Sequence, residues 1–279
     1  VNIGNNRYRL IDFWTGTYRA ATGSGALNTL PISVTPYAVK FEKRLPVKIM
    51  FLALFFATIQ YMFMLGTRTQ FAILLLIVIL AALQFAYSEH GIAGVLKCIG
   101  IMAAVSLIAF LLYHFDVLSI RDYILSTNLA ARYERRASLE NSDSFRFQSF
   151  WIGLRELIQY PMGGRASQIY RHNMWLDVGR VSGIIPFCLL LVYSIKNFAN
   201  VTAIWKNTKI LPSLRYLLLF LYIGAYVNCF VEPIWEGALN FFLALCVVDG
   251  MVSAMMRRLE NDPTPEESVS DTSNLHTDL

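Results

Sequence analysis

Phe71-Ala-Ile-Leu-Leu-Leu-Ile-Val-Ile-Leu-Ala-Ala-Leu-Gln-Phe-Ala-Tyr87 is a stretch of seventeen residues without a charge. About 17–25 such residues are what an α-helix needs to cross the roughly 30 Å hydrocarbon core of a bilayer. Five further apolar runs share that character, at 49–65, 92–113, 181–195, 216–231 and 237–256. The run at 181–195, fourth of the six in chain order, is short and is expected to begin earlier, within 174–180. A seventh candidate, 26–41, contains Pro31 and Pro36 and is predicted as a kinked or broken helix. Across 279 residues the chain is 56% hydrophobic and 15% charged, with a mean hydropathy of +0.47. A soluble globular chain carries about 25% charged residues. Disorder is excluded by the hydrophobicity, and four cysteines, Cys98, Cys188, Cys229 and Cys246, do not make a disulfide scaffold. They read as packing thiols in apolar surroundings. The predicted fold is all-α, a multi-pass transmembrane helical bundle of six or seven spans.

Charge sets the orientation. Lys40, Lys43, Arg44 and Lys48 precede the first run. Lys196, Lys206, Lys209 and Arg215 flank the connection before the fifth, and Arg257 and Arg258 follow the sixth. Short loops rich in Lys and Arg stay cytoplasmic. The opposite loops are poor in positive charge, with Arg68 alone in 66–70 and none in 232–236. The organisation expected is therefore 1–48 as an N-terminal loop with the possible broken span, and 49–113 as three spans. Residues 114–180 follow as one large extracytoplasmic helical loop, 181–256 as three more spans, and 257–279 as an acidic, disordered cytoplasmic tail. From residue 259 on there are six acids and no Lys or Arg, which leaves 24 basic residues against 13 acidic ones before it. That excess is explained by topology and an anionic ligand, not by nucleic acid. The opening Val1-Asn-Ile-Gly-Asn-Asn-Arg-Tyr-Arg9 has no signal-peptide pattern and reads as the middle of a loop.

The outer segment 114–180 holds nine Arg and no Lys, together with seven acids. The planar guanidinium fork pairs two oxygens of a phosphate or carboxylate at once, so this usage suggests oxyanion recognition; ordinary surface ion pairing is the alternative. Phe147, Phe150, Trp151, Leu154, Leu157 and Ile158 repeat at helical spacing. Asn141, Asp143 and Ser144 are N-cap candidates, and Tyr160-Pro161 and Gly163-Gly164 end the helix. Arg146 falls in its first turn, where free N–H groups also favour an anion. His172, in Arg171-His172-Asn173, is the one histidine set among polar and cationic groups at a membrane boundary. With an ordinary pKa near about 6.5 it can accept a proton; a structural hydrogen bond is the alternative. Arg68, in an outer turn, breaks the positive-inside trend and predicts an anionic partner or headgroup snorkelling. Glu232 and Glu236 lie on the same face and are alternative bases. Asp249 reads as structural, near the cytoplasmic end, paired with Arg257 or Lys206.

These points, in this order, resemble the O-antigen ligase and O-antigen polymerase superfamily of bacterial membrane glycosyltransferases. The likeness covers roughly 60–250. It rests on Leu65-Gly66-Thr67-Arg68 against a Thr-Gly-Ser-Arg turn, and on Arg146 a few residues before Trp151. Pro161-Met162-Gly163-Gly164 stands against a Pro-x-Gly-x-Gly turn, and His172-Asn173 leads into Gly183-Ile184-Ile185-Pro186, where the family has Gly-x-x-Gly. Members of the family have additional spans at the front. The resemblance implies a donor glycan on undecaprenyl diphosphate, gripped by Arg68 and Arg146. His172 would act as base toward an acceptor hydroxyl, supported by Asn173, Arg171 and Glu232, with no metal or other cofactor. Partners would be membrane lipids, an acceptor glycan or lipid A core, and other polysaccharide-assembly proteins. The site would face the periplasm from the bacterial inner membrane. Two readings compete with the transferase. One is a lipid-linked glycan transporter or flippase, disfavoured because the runs are nearly free of ionisable groups. The other is a non-catalytic partner in a polysaccharide assembly complex.

Overall fold

The computed structural model describes residues 10–11, 18–19, 25–131, 142–167 and 169–261. Apart from a two-residue antiparallel ladder, Leu10–Ile11 with Tyr18–Arg19, those residues form helices. In chain order they are α1 (Thr29–Phe41), α2 (Leu45–Leu65), α3 (Arg68–His114), a 3₁₀ turn (Val117–Ser119), α4 (Ile120–Leu125), α5 (Ser142–Gln159), α6 (Met174–Ser182), α7 (Ile184–Lys206), α8 (Pro212–Val231), α9 (Ile234–Gly237) and α10 (Leu239–Asn261). Five of them, α2, α3, α7, α8 and α10, are long and apolar enough to cross a membrane. The multi-pass, all-helical expectation is met at that level. The acidic segment beyond Asn261 and the cap candidate Asn141 lie outside the described residues.

Two of the predicted spans, 71–87 and 92–113, share the 47-residue element α3. At 1.5 Å per residue a straight helix of that length would run about 70 Å, more than twice the hydrocarbon thickness. It is not straight. Gly91 has φ 60° and ψ −146°, a conformation open to glycine because it has no Cβ. A Cβ at Gly94 would lie 2.4 Å from the carbonyl oxygen of Ala86, although residues eight apart in a helix are separated by about 12 Å along the axis. The chain therefore turns back on itself at Gly91. Contacts at the ends agree. Glu89, just before the turn, pairs with Lys40 at the end of α1. After the second arm, the hydroxyl of Tyr123 donates to Gln60 Oε1 at 2.5 Å and Asn128 Nδ2 to the Met64 carbonyl at 2.7 Å, back at the end of α2.

The seventh candidate is a helix, α1, but one of 13 residues, too short to span. It lies in the core: Thr29, Ile32, Ser33, Thr35, Pro36 and Ala38 are buried, and α8 is its main neighbour. Pro36 is accommodated inside it, and Thr35 Oγ1 donates to the Pro31 carbonyl at 2.7 Å. Gly224 of α8 lets the helices approach, since a Cβ there would meet Ser33 Oγ at 2.5 Å. One core cluster groups α1, α2, α3 and α8 around Ile32, Met62, Ile73, Ile77 and Phe220. The other groups α7, α8 and α10 around Ile204, Tyr222, Cys229 and Phe241. Of the cysteines, Cys229 alone is fully buried and Cys188 is exposed. The exposed faces of α2 and of the second arm of α3 are apolar, as a lipid-facing surface requires.

The fourth run divides at Gly183, with φ 95°, into α6 and the span α7. Here the glycine turn 161–164 is stitched to the end of α6. Gly164 N donates to Val181 O at 2.9 Å, Arg165 N to Arg180 O at 3.1 Å, and Ile184 N to Pro161 O at 2.8 Å. A Cβ on Gly163 would lie 2.5 Å from Gly183 N, and one on Gly183 would lie 2.4 Å from Pro161 O. Gly183→Ala is therefore expected to destabilise the protein by about 1–3 kcal/mol through backbone strain. Gly237→Ala, whose Cβ would meet nothing within 4 Å, is the control. Thermal unfolding of the two variants in detergent should separate them; equal melting temperatures would contradict this account.

Candidate functional site

The polar groups singled out in the sequence gather at one end of α8, through two separate attachments. The first is the Arg68 turn. Gly66 caps α2 in the left-handed conformation (φ 64°), and its N–H donates to the Met62 carbonyl at 2.9 Å. Thr67 is the N-cap residue of α3 and Arg68 its first residue. One turn in, Gln70 is buried and donates through Nε2 to Asn228 Oδ1 at 3.5 Å. The Nδ2 of Asn228 in turn donates to Thr29 Oγ1 at 3.1 Å and to the Ala26 carbonyl at 3.4 Å. The amide of one fully buried residue thus joins α1, α3 and α8.

The second attachment is the His172 turn. Asn173 is the N-cap of α6, its Oδ1 accepting from Leu176 N at 3.0 Å. Its Nδ2 donates to the Phe230 carbonyl at 3.2 Å, two residues beyond Asn228 on α8. His172 itself has φ 55°, left-handed for a residue that bears a Cβ. Such conformations persist where surroundings over-determine them, and here they do. Arg171 N donates to Asp177 Oδ1 at 2.7 Å on one side, and Asn173 is clamped on the other. The imidazole stands edge-on to Tyr170, with ring centroids 4.7 Å apart. Glu232 is buried at the C-cap of α8, its N–H donating to Asn228 O at 3.0 Å. Arg68, His172, Asn173 and Glu232 therefore belong to segments held at the same end of the bundle. Lys40 and Glu89 mark the opposite end. Arg146 lies in α5, one turn before Phe150, whose ring sits 6.1 Å from that of Phe230. The side chain of Arg146 lies outside the described residues.

Several arginines of the outer segment are engaged internally. Arg171 forms a two-point pair with Glu156, Nε to Oε2 at 3.1 Å and Nη2 to Oε1 at 2.6 Å. Its guanidinium thus faces α5, and its contribution to the His172 turn runs through its backbone. Arg180 is buried, donates through Nη1 to the carbonyls of Arg165 at 2.6 Å and Ala166 at 3.1 Å, and pairs with Glu236 and Asp177. Arg165 lies over the Tyr160 ring at 4.2 Å. Glu156, Asp177 and Glu236 are the acids that complete this network. Asp177 and Arg180 stand at i, i+3 on α6, a spacing visible in the sequence. The pairing of Glu156 with Arg171 spans a loop and has no local signal.

Asp249 differs from expectation. Its partners are neither Arg257 nor Lys206 but Tyr193, Asn197 and Tyr222. It stands ten residues from either end of the span Leu239–Leu259, at its middle. No protein-family model, curated protein or solved structure matches the chain.

Burial pushes the Asp177 carboxyl up from its ordinary 3.8 to about 6, with Glu236 adding to the rise and the Arg171 N–H and Arg180 opposing it. A carboxyl whose pKa is raised by folding stabilises the protein in its protonated form. The contribution is complete below about 4 and is lost as pH rises through about 6. Wild type should therefore gain stability relative to Asp177→Asn when pH falls from 7.5 to 5. Thermal unfolding of both across that range is the measurement; a difference that stays flat or moves the other way contradicts it.

Proposed function

We propose that the protein is a membrane glycosyltransferase of the O-antigen ligase and polymerase kind, acting at the outer face of the bacterial inner membrane. The observation that supports it most is the pair of attachments to one helix end: Gln70 to Asn228 and Asn173 to Phe230. Two segments about a hundred residues apart, bearing Arg68 and His172, are thereby anchored at the same end of α8. In this reading the donor is a glycan on undecaprenyl diphosphate, and its diphosphate is held by Arg68 and Arg146. An acceptor hydroxyl attacks the anomeric carbon from the face opposite the diphosphate. The carbon–oxygen bond to the diphosphate breaks, the hydroxyl proton passes to the imidazole of His172, and the configuration inverts. Charge grows on the leaving diphosphate, so guanidiniums fixed before reaction lower the barrier. Asn173 supports the base through the turn it caps, and Glu232 is the nearby acid of the same end. The acceptor would be another lipid-linked repeat or a lipid A core.

In the same reading the two arms of α3 are separate crossings. The six crossings that result, with the Lys and Arg of residues 40–48 and 206–215 on the cytoplasmic side, leave Arg68 and His172 outside. A second reading, a lipid-linked glycan transporter, is favoured by one observation: a carboxyl at the middle of a span, where transporters place coupling groups.

His172→Asn separates the two. Asn tolerates the left-handed backbone and has no basic nitrogen, so a transferase should lose about 10²–10⁴-fold in rate while inserting normally. Arg68→Lys should also impair transfer, because the fork is lost while the charge is kept. Glycan transfer in membranes bearing the full chain is the assay. Undiminished transfer by His172→Asn would remove His172 as base, and undiminished transfer by both variants would remove the proposal. In a deletion strain, single capped repeats would identify a polymerase and long chains stranded on the carrier lipid a ligase.

A further inference from the structure

Asp249 is 2% exposed and sits at the centre of three spans. Ten residues of helix, about 15 Å, separate it from each end of its own span, which is half the hydrocarbon thickness. Its partners are equally central. Tyr222 lies ten residues into α8, and Tyr193 and Asn197 occupy consecutive turns in the middle of α7. Tyr193 Oη is 2.6 Å from Asp249 Oδ2, Asn197 Nδ2 is 2.8 Å from the same oxygen, and the Tyr222 hydroxyl bonds Oδ1.

Every one of these partners is neutral. The other titratable groups around the carboxyl are Tyr226 and Cys229 on α8 and Cys246 on its own helix. Among the described residues no Lys, Arg or His forms an ion pair with Asp249. A negative charge at that depth has no cationic partner among the described residues, and buried charges persist when paired. A carboxylic acid is neutral, and phenol oxygens accept as well as donate, so the same contacts accommodate an acid proton. We propose that Asp249, held by Tyr193, Asn197 and Tyr222, is a proton-binding site at the middle of the membrane, occupied by one proton at neutral pH.

An open, apolar groove of about 440 Å³ runs along the neighbouring faces of α7 and α8, lined among others by Trp175, Ser194, Phe198, Tyr226 and Phe230. Ser194 and Tyr226 are one residue and one turn from the Asp249 partners Tyr193 and Tyr222. Trp175 Nε1 donates to Ser194 Oγ at 3.0 Å, and Tyr226 stacks on Tyr222 with centroids 5.7 Å apart. The Tyr226 hydroxyl is buried beside Asn197 and Ser194. Through Trp175 and Phe230 the groove reaches the end of α8 where Asn173 is anchored. The proton site stands on these contacts alone and holds whether the protein is a transferase or a transporter.

The test is infrared difference spectroscopy of the full chain in lipid vesicles, wild type minus Asp249→Asn. At pH 7 the expected result is a carboxylic-acid C=O band that moves to lower frequency in D₂O and is lost in the variant. Tyr222→Phe, which removes one hydrogen bond, should shift that band rather than abolish it. Carboxylate bands in its place at pH 7 would overturn the proposal. So would a band converted to carboxylate by sodium chloride but not by choline chloride, which would mark a metal-cation site. Should Asp249→Asn fail to fold, dicyclohexylcarbodiimide decides the matter on wild type, since it forms a stable adduct only with a protonated carboxyl in the apolar phase. A mass-mapped adduct on Asp249 at pH 7 supports the site, and an adduct that forms at pH 5 but not at pH 7, or at neither, rejects it.

Discussion

The amide of Asn228 is the contact on which the arrangement at the C-terminal end of α8 depends. It is fully buried, and it bonds α1 through Thr29 and the Ala26 carbonyl and α3 through Gln70. A bilayer interior offers no water to replace such bonds, so a buried amide must find all its partners inside the protein. Asn228 does so with groups from three segments, and thereby sets the height of α1 and α3 against α8. Two residues later the Phe230 carbonyl does the same for the His172 turn. The end of one helix is thus the common reference for both halves of the candidate site.

Charge is distributed by a second constraint. Arg171 is paired with Glu156 of α5, and buried Arg180 with Asp177 of its own helix and with the exposed Glu236 of α9. Removing one partner of a buried pair such as Arg171–Glu156 leaves an uncompensated charge, at a cost of about 3–5 kcal/mol. These pairs join α5, α6 and α9. The glycines at 163 and 183 complete the joint from the backbone side, because only a residue without Cβ permits those strands to lie so close. The left-handed His172 is held in place by this assembly.

Local patterns carried most of the helical content. Four of the six apolar runs lie within helices, the other two being interrupted at Gly183 and Ala238, and the spacing of Phe147 to Ile158 predicts α5, which ends at Gln159 as Tyr160-Pro161 requires. What local pattern does not contain is pairing across distance. The two runs read as separate spans share one helical element because the polar break Ser88-Glu89-His90-Gly91 turns the chain at Gly91 without a loop. Residues 26–41 look like a broken span, whereas α1 is a short helix buried by its neighbours. Asp249 was visible as an acid in an apolar run. Its partners are visible only as polar residues in apolar runs, Tyr193 and Asn197 in one and Tyr222 in another, and which helices face each other is a tertiary fact. The arginines of the outer segment suggested a ligand by their number, and at Arg171 and Arg180 the partner is the protein itself.

The second arm of α3 has a consequence of its own. From Ile92 to Leu112 its large side chains are exposed around most of its circumference, and the Gly91 turn is its principal tie to the first arm. An apolar rod held at its ends, by the Gly91 turn and by the bonds of Tyr123 and Asn128 to α2, and lipid-facing between them, tilts at little cost when the surrounding hydrocarbon thickens or thins. Hydrophobic mismatch is then taken up by this outrigger, and the helices bonded through Asn228 keep their relative depth from one lipid composition to another.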